Sequence, residues 1–181
     1  MIDQDDDVMG GRADWVAISS EVLNEDRLEF GENGGVLMAA EPTAVYSSSP
    51  LYRDNLLLKE TFALSVKAIK FIDQLGSGRR WLIEQFESSA CSAGANSKEA
   101  QNAESLKDFI HKMKIALKEA DEAEYWYFVI AATHDRGTDP DLIARIQRVI
   151  RILNKIVSTS KQRLLARKSA SVSPSSAPPA R

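Results

Sequence analysis

Residues 94–126 read GANSKEAQNAESLKDFIHKMKIALKEADEAEYW, and this stretch decides the fold. Within it, Ser105-Leu106-Lys107-Asp108 has the form of a capping box with an acid at its fourth place. A helix is therefore expected to open at Ser105, and the absence of Gly and Pro carries it to about Thr133. Leu106, Phe109, Ile110, Met113, Ala116, Leu117, Ala120, Ala123, Tyr127 and Ile130 recur at steps of three and four, the mark of one buried helical stripe.

Working outward, a second helix is expected upstream, from Arg79 to Ala100, with Trp81, Leu82, Phe86, Ala90 and Ala93 on its apolar side. Its later half, Ser88 to Ala95, is built of small residues, so a neighbouring backbone can approach closely. Before it, Asn55 to Leu75 holds Leu57, Leu58, Phe62, Leu64, Val66, Ile69, Phe71, Ile72 and Leu75 without Gly or Pro, a helix with a broad apolar face. Asp54 is its expected N-cap, and Gly76-Ser77-Gly78 its stop. Downstream, Arg136-Gly137-Thr138-Asp139-Pro140 breaks the chain. Thr138 or Asp139 caps a fourth helix with Pro140 in its first turn, running to about Leu165 on the stripe Leu142, Ile146, Val149, Ile150, Leu153, Ile156 and Val157. Four amphipathic helices with short connections predict an all-α fold, an antiparallel up-down four-helix bundle over residues 51–166.

The flanks read differently. Residues 1–50 carry Gly10, Gly11, Gly31, Gly34, Gly35, Pro42 and a Ser47-Ser48-Ser49-Pro50 run. Leu28–Phe30 and Gly35–Met38 could pair as a weak hairpin. Disorder fits the charge density equally, and a translation start set too early is a third reading. The Ser-, Ala- and Pro-rich residues 167–181 read as a disordered tail.

Charge is divided along the chain. The net charge of −3 over 181 residues combines −9 in residues 1–50, −2 in 51–135 and +8 in 136–181. Local sign is thus a better guide to partners than the whole. Apolar residues at 44% and charged residues at 27% describe an ordinary globular chain. The single cysteine, Cys91, excludes an internal disulfide framework and a multi-cysteine zinc site, and it suits a reducing cytoplasm. No run of about 18 apolar residues is present, so no membrane span is expected. The acidic start lacks the basic-then-apolar order of a secretory signal.

The segment from Ser92 to Ser105, continued by Asp108 to Met113, Ile115 to Glu122 and Tyr125-Trp126, closely resembles the bacterial four-helix bundle protein family, also called 23S rRNA intervening-sequence proteins. Asn55-Leu56-Leu57-Leu58 resembles that family's usual beginning, and the likeness covers about residues 52–165. The resemblance implies an up-down bundle that assembles into a homo-oligomer, commonly a five-membered ring, with no catalytic activity and no cofactor. Its best understood members are accessory proteins of diversity-generating retroelements, basic barrels that bind nucleic acid and a reverse transcriptase. Residues 1–50 have no counterpart in the family pattern.

Three groups of residues are singled out. Arg145, Arg148, Arg151 and Lys155 fall within about a third of the helix circumference at roughly 100° per residue, away from the apolar stripe. Such a face can follow the phosphates of RNA or DNA. The plainer reading gives it Asp or Glu partners on a neighbouring helix, and a third has the acidic residues 1–50 fold back upon it. Asn96, Glu99 and Glu104 surround the junction of helices two and three, where hydrogen bonds, caps and a lysine pair are the expected structural task. Ile115, Trp126 and Val129 lie off the main stripe of helix three, and Ile152 lies inside the basic stripe. Together they are the expected oligomer face.

Enzyme readings are weak. Asp108 and His111 stand three apart, but a di-iron bundle needs two such pairs and two further glutamates, and the only other histidine is His134. Gly76-Ser77-Gly78 lacks the lysine and spacing of a phosphate loop. The function expected is a non-catalytic adaptor for nucleic acid or a nucleic-acid enzyme, the alternative a protein–protein scaffold.

Overall fold

The computed structural model describes residues 55–76, 79–135 and 138–171. The expectations for residues 1–54, for the turn residues 77–78 and 136–137, and for residues 172–181 lie outside these. Four helices form: α1 (Leu56–Leu75), α2 (Arg80–Ala100), α3 (Leu106–Thr133) and α4 (Pro140–Ser171). Each packs on its neighbour in sequence and α1 also packs on α4, while the diagonal pairs do not meet among the described residues. This closed antiparallel square is the expected up-down bundle.

Three of the four helix starts are fixed by side-chain caps, while Arg79 at the start of α2 makes no side-chain cap bond. The N-cap of α1 is Asn55, one residue after the expected Asp54. Its side-chain oxygen accepts from Leu58 N at 3.2 Å, while its Nδ2 donates to Gln101 Oε1 at 3.2 Å. Gln101 Nε2 in turn donates to Ser97 O at 3.1 Å, so one buried chain of amides ties the start of α1 to the end of α2. The Ser105 half of the α3 cap box forms as read, Ser105 Oγ accepting from Asp108 N at 3.1 Å, while the Asp108 side chain reaches back one residue beyond the N-cap. The Asp108 carboxylate accepts from Glu104 N at 3.2 Å. Asp139 caps α4 by accepting from Leu142 N at 2.9 Å. Tyr127 clamps the same corner, its hydroxyl accepting from Asp139 N at 2.8 Å.

The core is continuous from Leu57 to Val157 and holds every stripe residue predicted for α3 and α4 except Leu117 and Ile150, which are half-buried against it. Phe71, Phe86 and Tyr127 meet at its base with ring centroids 5.9–6.5 Å apart. Full burial of a ring such as Phe86 contributes on the order of 1.5–3 kcal/mol. The small-residue half of α2 brings α1 close: a Cβ on Gly94 would stand 3.4 Å from Ser65 Oγ and 3.6 Å from Thr61 Cβ. Ser65 Oγ also donates across to Ala90 O at 3.4 Å.

Three expectations are corrected. Trp81 is 54% exposed rather than core-facing, because it stands about 100° around α2 from the fully buried Leu82, off the face that carries Phe86, Ala90 and Ala93. Ile152 is 4% exposed and belongs to the core. Seven residues make two turns less about 20°, so Ile152 stands over Arg145 on the side of α4 that meets α1. Because α4 packs on both α1 and α3, its buried arc is wider than the stripe suggested. Finally, α4 continues past Leu165 to Ser171. Ala166-Arg167-Lys168 are strong helix formers, and no Gly or Pro stops them.

Candidate functional site

Of the four helices, α4 carries the largest net charge. This helix carries eight Lys and Arg against one acid, Asp141. The structure divides the predicted stripe in two. Arg145 Nη1 donates to Glu60 Oε2 at 2.7 Å, and Arg148 Nε lies 3.3 Å from Glu60 Oε1. Glu60 is buried on α1, and Arg145 is mostly covered, so this half of the stripe is a packed ion cluster. Arg148 is half exposed. One carboxylate faces two guanidiniums, so the cluster keeps a net positive charge. Arg151 is exposed and Lys155 half-buried, one and two turns farther on. Lys161, Arg167 and Lys168 are exposed beyond them.

Glu60 was missed by the sequence reading although a signal existed. It stands three residues after Leu57 and four before Leu64, within the core face of α1. A carboxylate there requires a charged or hydrogen-bonding partner. Lys67 forms a second link between these helices, 3.1 Å from Asp139 and 3.8 Å from Asp141. On the α3 side, Gln147 Nε2 donates to Glu124 Oε1 at 3.0 Å.

The α2–α3 junction brings Glu99 and Glu104 together in a shallow depression with Asn102, Asp108 and Lys112. Lys112 Nζ pairs with Glu99 Oε2 at 3.4 Å, the lysine pair expected there. Asn96 is not part of that depression. Its Nδ2 donates to Ser92 O at 2.9 Å, one turn back on its own helix. Asp108 is committed to its cap, and His111 is exposed. No cluster of three His, Cys, Asp or Glu side chains suited to a metal occurs among the described residues.

Aromatic rings gather where α2 begins and α3 nears its end. Trp81 and Trp126 meet edge to face at 5.9 Å, and Tyr125 and Trp126 at 4.8 Å. Trp126 Nε1 donates to Glu122 Oε1 at 3.0 Å. Of the predicted oligomer face, Trp126 and Val129 are half-buried against the core and Ile115 is half-buried. Among the described residues the exposed rings are instead Trp81, Tyr125 and Phe128, each more than half exposed.

Between α1 and α2, Cys91 lines a groove with Leu58, Thr61, Phe62, Ser65, Gly94, Ala95 and Lys98. Burial pushes its thiol up, a hydrogen bond with Ser65 pulls it back in part, and Glu87 pushes it up further. This is an inert setting for a thiol. No described helix is long and apolar enough to cross a membrane.

A closed up-down square with one strongly basic helix defines the class, a four-helix bundle. The chain belongs to the family described as 23S rRNA-intervening sequence protein, whose model matches residues 53–156. A solved structure from Bacteroides thetaiotaomicron VPI-5482, a protein with unknown function from the S23 ribosomal protein family, is similar at 27% identity. It matches with a TM-score of 0.50, over 56% of this chain and 97% of that one. No curated protein matches the chain.

Proposed function

We propose that this chain is a non-catalytic adaptor that self-associates and binds nucleic acid, or an enzyme of nucleic acid such as a reverse transcriptase, through the basic side of α4. The observation that carries this reading is the charge of that helix, eight cations against one anion. The Glu60 cluster offsets only part of it. The binding surface takes in Arg151 and Lys155, the later members of the predicted stripe, and the exposed Lys161 beyond them, with Arg148 at its edge. Arg145 supports the surface from beneath.

A second reading, a protein–protein scaffold without nucleic acid, is favoured by the exposed rings Trp81, Tyr125 and Phe128. The same rings are the natural self-association face. Two measurements separate the readings. Fluorescence anisotropy with labelled RNA and DNA should show binding that weakens with salt and is lost in Arg151→Glu/Lys155→Glu/Lys161→Glu. Sedimentation at several concentrations should show an oligomer that Trp81→Ser/Phe128→Ser weakens. An oligomer that binds no nucleic acid establishes the scaffold, and a strict monomer removes self-association.

A further inference from the structure

Trp81, Trp126 and Tyr125 form one ring cluster across α2 and α3. Trp81 and Tyr125 are each set steeply against Trp126, at 86° and 70°, with centroids 5.9 and 4.8 Å from it. An edge-to-face contact occupies an edge of one ring and a single face of the other, so faces of the outer rings stay uncovered. Trp81 is 54% and Tyr125 60% exposed, and those faces meet solvent. The negative face of an aromatic ring attracts a cation. Acids stand beside the rings. Asp121 lies four residues and Glu122 three residues before Tyr125, so both neighbour it on the surface of α3, and both are exposed. Long side chains on a helix lean toward its N-terminus, which carries the Tyr125 ring toward these two carboxylates. Glu122 Oε1 also accepts from Trp126 Nε1 at 3.0 Å, which holds that carboxylate against the cluster.

These acids face one another rather than a cation. Burial pushes the Glu119 carboxyl up and Glu122 pushes it further, while burial and then Glu124 do the same to Asp121. Lys118, exposed one turn earlier, forms no ion pair with Asp121 or Glu122 among the described residues. The surface is therefore negative and aromatic at once. Arginine is the side chain complementary to both features. Its planar guanidinium stacks on ring faces and forks to carboxylates, and its stem lies along apolar surface. We propose that this cluster is a docking site for an arginine on a basic segment of a partner protein, the guanidinium stacking on Tyr125 and pairing with Asp121 and Glu122, and the stem lying toward Trp126 and Trp81. The proposal rests on the scaffold reading of the exposed rings and names the chemistry of the partner they take.

The test is fluorescence anisotropy of a labelled peptide of Gly-Arg repeats with the full chain. The peptide should bind, and the same peptide with neutral citrulline for arginine should not. The lysine version should bind at least about twofold more weakly, because an ammonium has no plane to stack. Tyr125→Ser and Trp81→Ser should each weaken binding by about two- to fivefold, the worth of one exposed cation–π contact. Asp121→Asn/Glu122→Gln should weaken it by about two- to tenfold while keeping an oxygen acceptor for Trp126 Nε1. Asp5→Asn/Asp6→Asn/Asp7→Asn removes more charge elsewhere and should weaken it less than the α3 pair does. Absent binding, equal affinity for the lysine peptide, or an equal loss in the Asp5/Asp6/Asp7 variant overturns the arginine site. Sedimentation of the same variants separates it from self-association. An oligomer that Trp81→Ser weakens, in a chain that never binds the arginine peptide, keeps the scaffold reading and overturns this one. A strict monomer that binds the peptide through Tyr125 removes self-association and supports the arginine site.

Discussion

Removing the Glu60 carboxylate tests the bundle where charge and packing meet. Glu60→Ala deletes the acceptor for Arg145 at 2.7 Å and the partner of Arg148 at 3.3 Å. The Glu60 side chain is 10% exposed, that of Arg145 24% and that of Arg148 50%. A hydrogen bond to a charged group in such a covered site contributes about 1.5–3 kcal/mol. The half-exposed Arg148 contact adds roughly 0.2–1 kcal/mol. Arg145 Nε is already buried without a hydrogen-bond partner, so losing Glu60 leaves its guanidinium poorly solvated. The expected loss is about 2–4 kcal/mol, below the upper range for fully buried pairs because Arg145 retains some water contact. Replacing both partners, Glu60→Met/Arg145→Met, should cost less than Glu60→Met alone, since no orphan charge remains. Urea unfolding followed by circular dichroism, at one fixed protein concentration, measures each variant and the cycle. A Glu60→Ala loss below about 0.5 kcal/mol, or a double variant worse than the sum of the singles, would refute the reasoning.

Other expectations follow from single contacts. Ser105→Ala should cost about 1 kcal/mol in the same unfolding assay by opening the cap of α3, and Ser105→Thr should recover most of it. Gly94→Ala should not destabilise by more than about 0.5 kcal/mol, because helix propensity offsets a Cβ at 3.4 Å from Ser65 Oγ. Gly94→Leu should lose about 1–3 kcal/mol by forcing α1 and α2 apart, and equal stability of the two variants would contradict the close approach. The Cys91 thiol is held above its ordinary value by burial, so alkylation by iodoacetamide should reach half its limiting rate at a higher pH than for a free peptide cysteine. Since the neutral thiol is the favoured form in the fold, this group's contribution to stability falls as pH rises through the raised value. A midpoint at or below that of the peptide would contradict the buried setting.

The parts of this fold that were legible in sequence are those governed by local chemistry. The α3 cap at Ser105 and the stripes of α3 and α4 depend on spacing within one helix, and spacing is visible in one chain. What was hidden depends on the neighbour. Glu60 stood in a core face, but only the approach of α4 shows that Arg145 and Arg148 meet it. Ile152 was placed among arginines because an isolated helix gives no sign that two partners widen its buried arc. Trp81 was grouped with the core because it is large and apolar, but it stands about 100° around α2 from Leu82, outside the buried face. The same contrast applies to the candidate surface: the sequence located the basic side of α4, and packing moved its exposed centre away from Arg145.

The most direct test of the adaptor account is the salt dependence of nucleic-acid binding by the full chain and by Arg151→Glu/Lys155→Glu/Lys161→Glu. For a single strand, log K falls against log salt with a slope near −0.7 per phosphate neutralised. The parent should therefore bind with a steep negative slope, and the variant should be shallower by at least about 2 while keeping the parent's helical content and oligomeric state. A variant with an unchanged slope and affinity would contradict the account, because the basic side of α4 would then not be where nucleic acid is held.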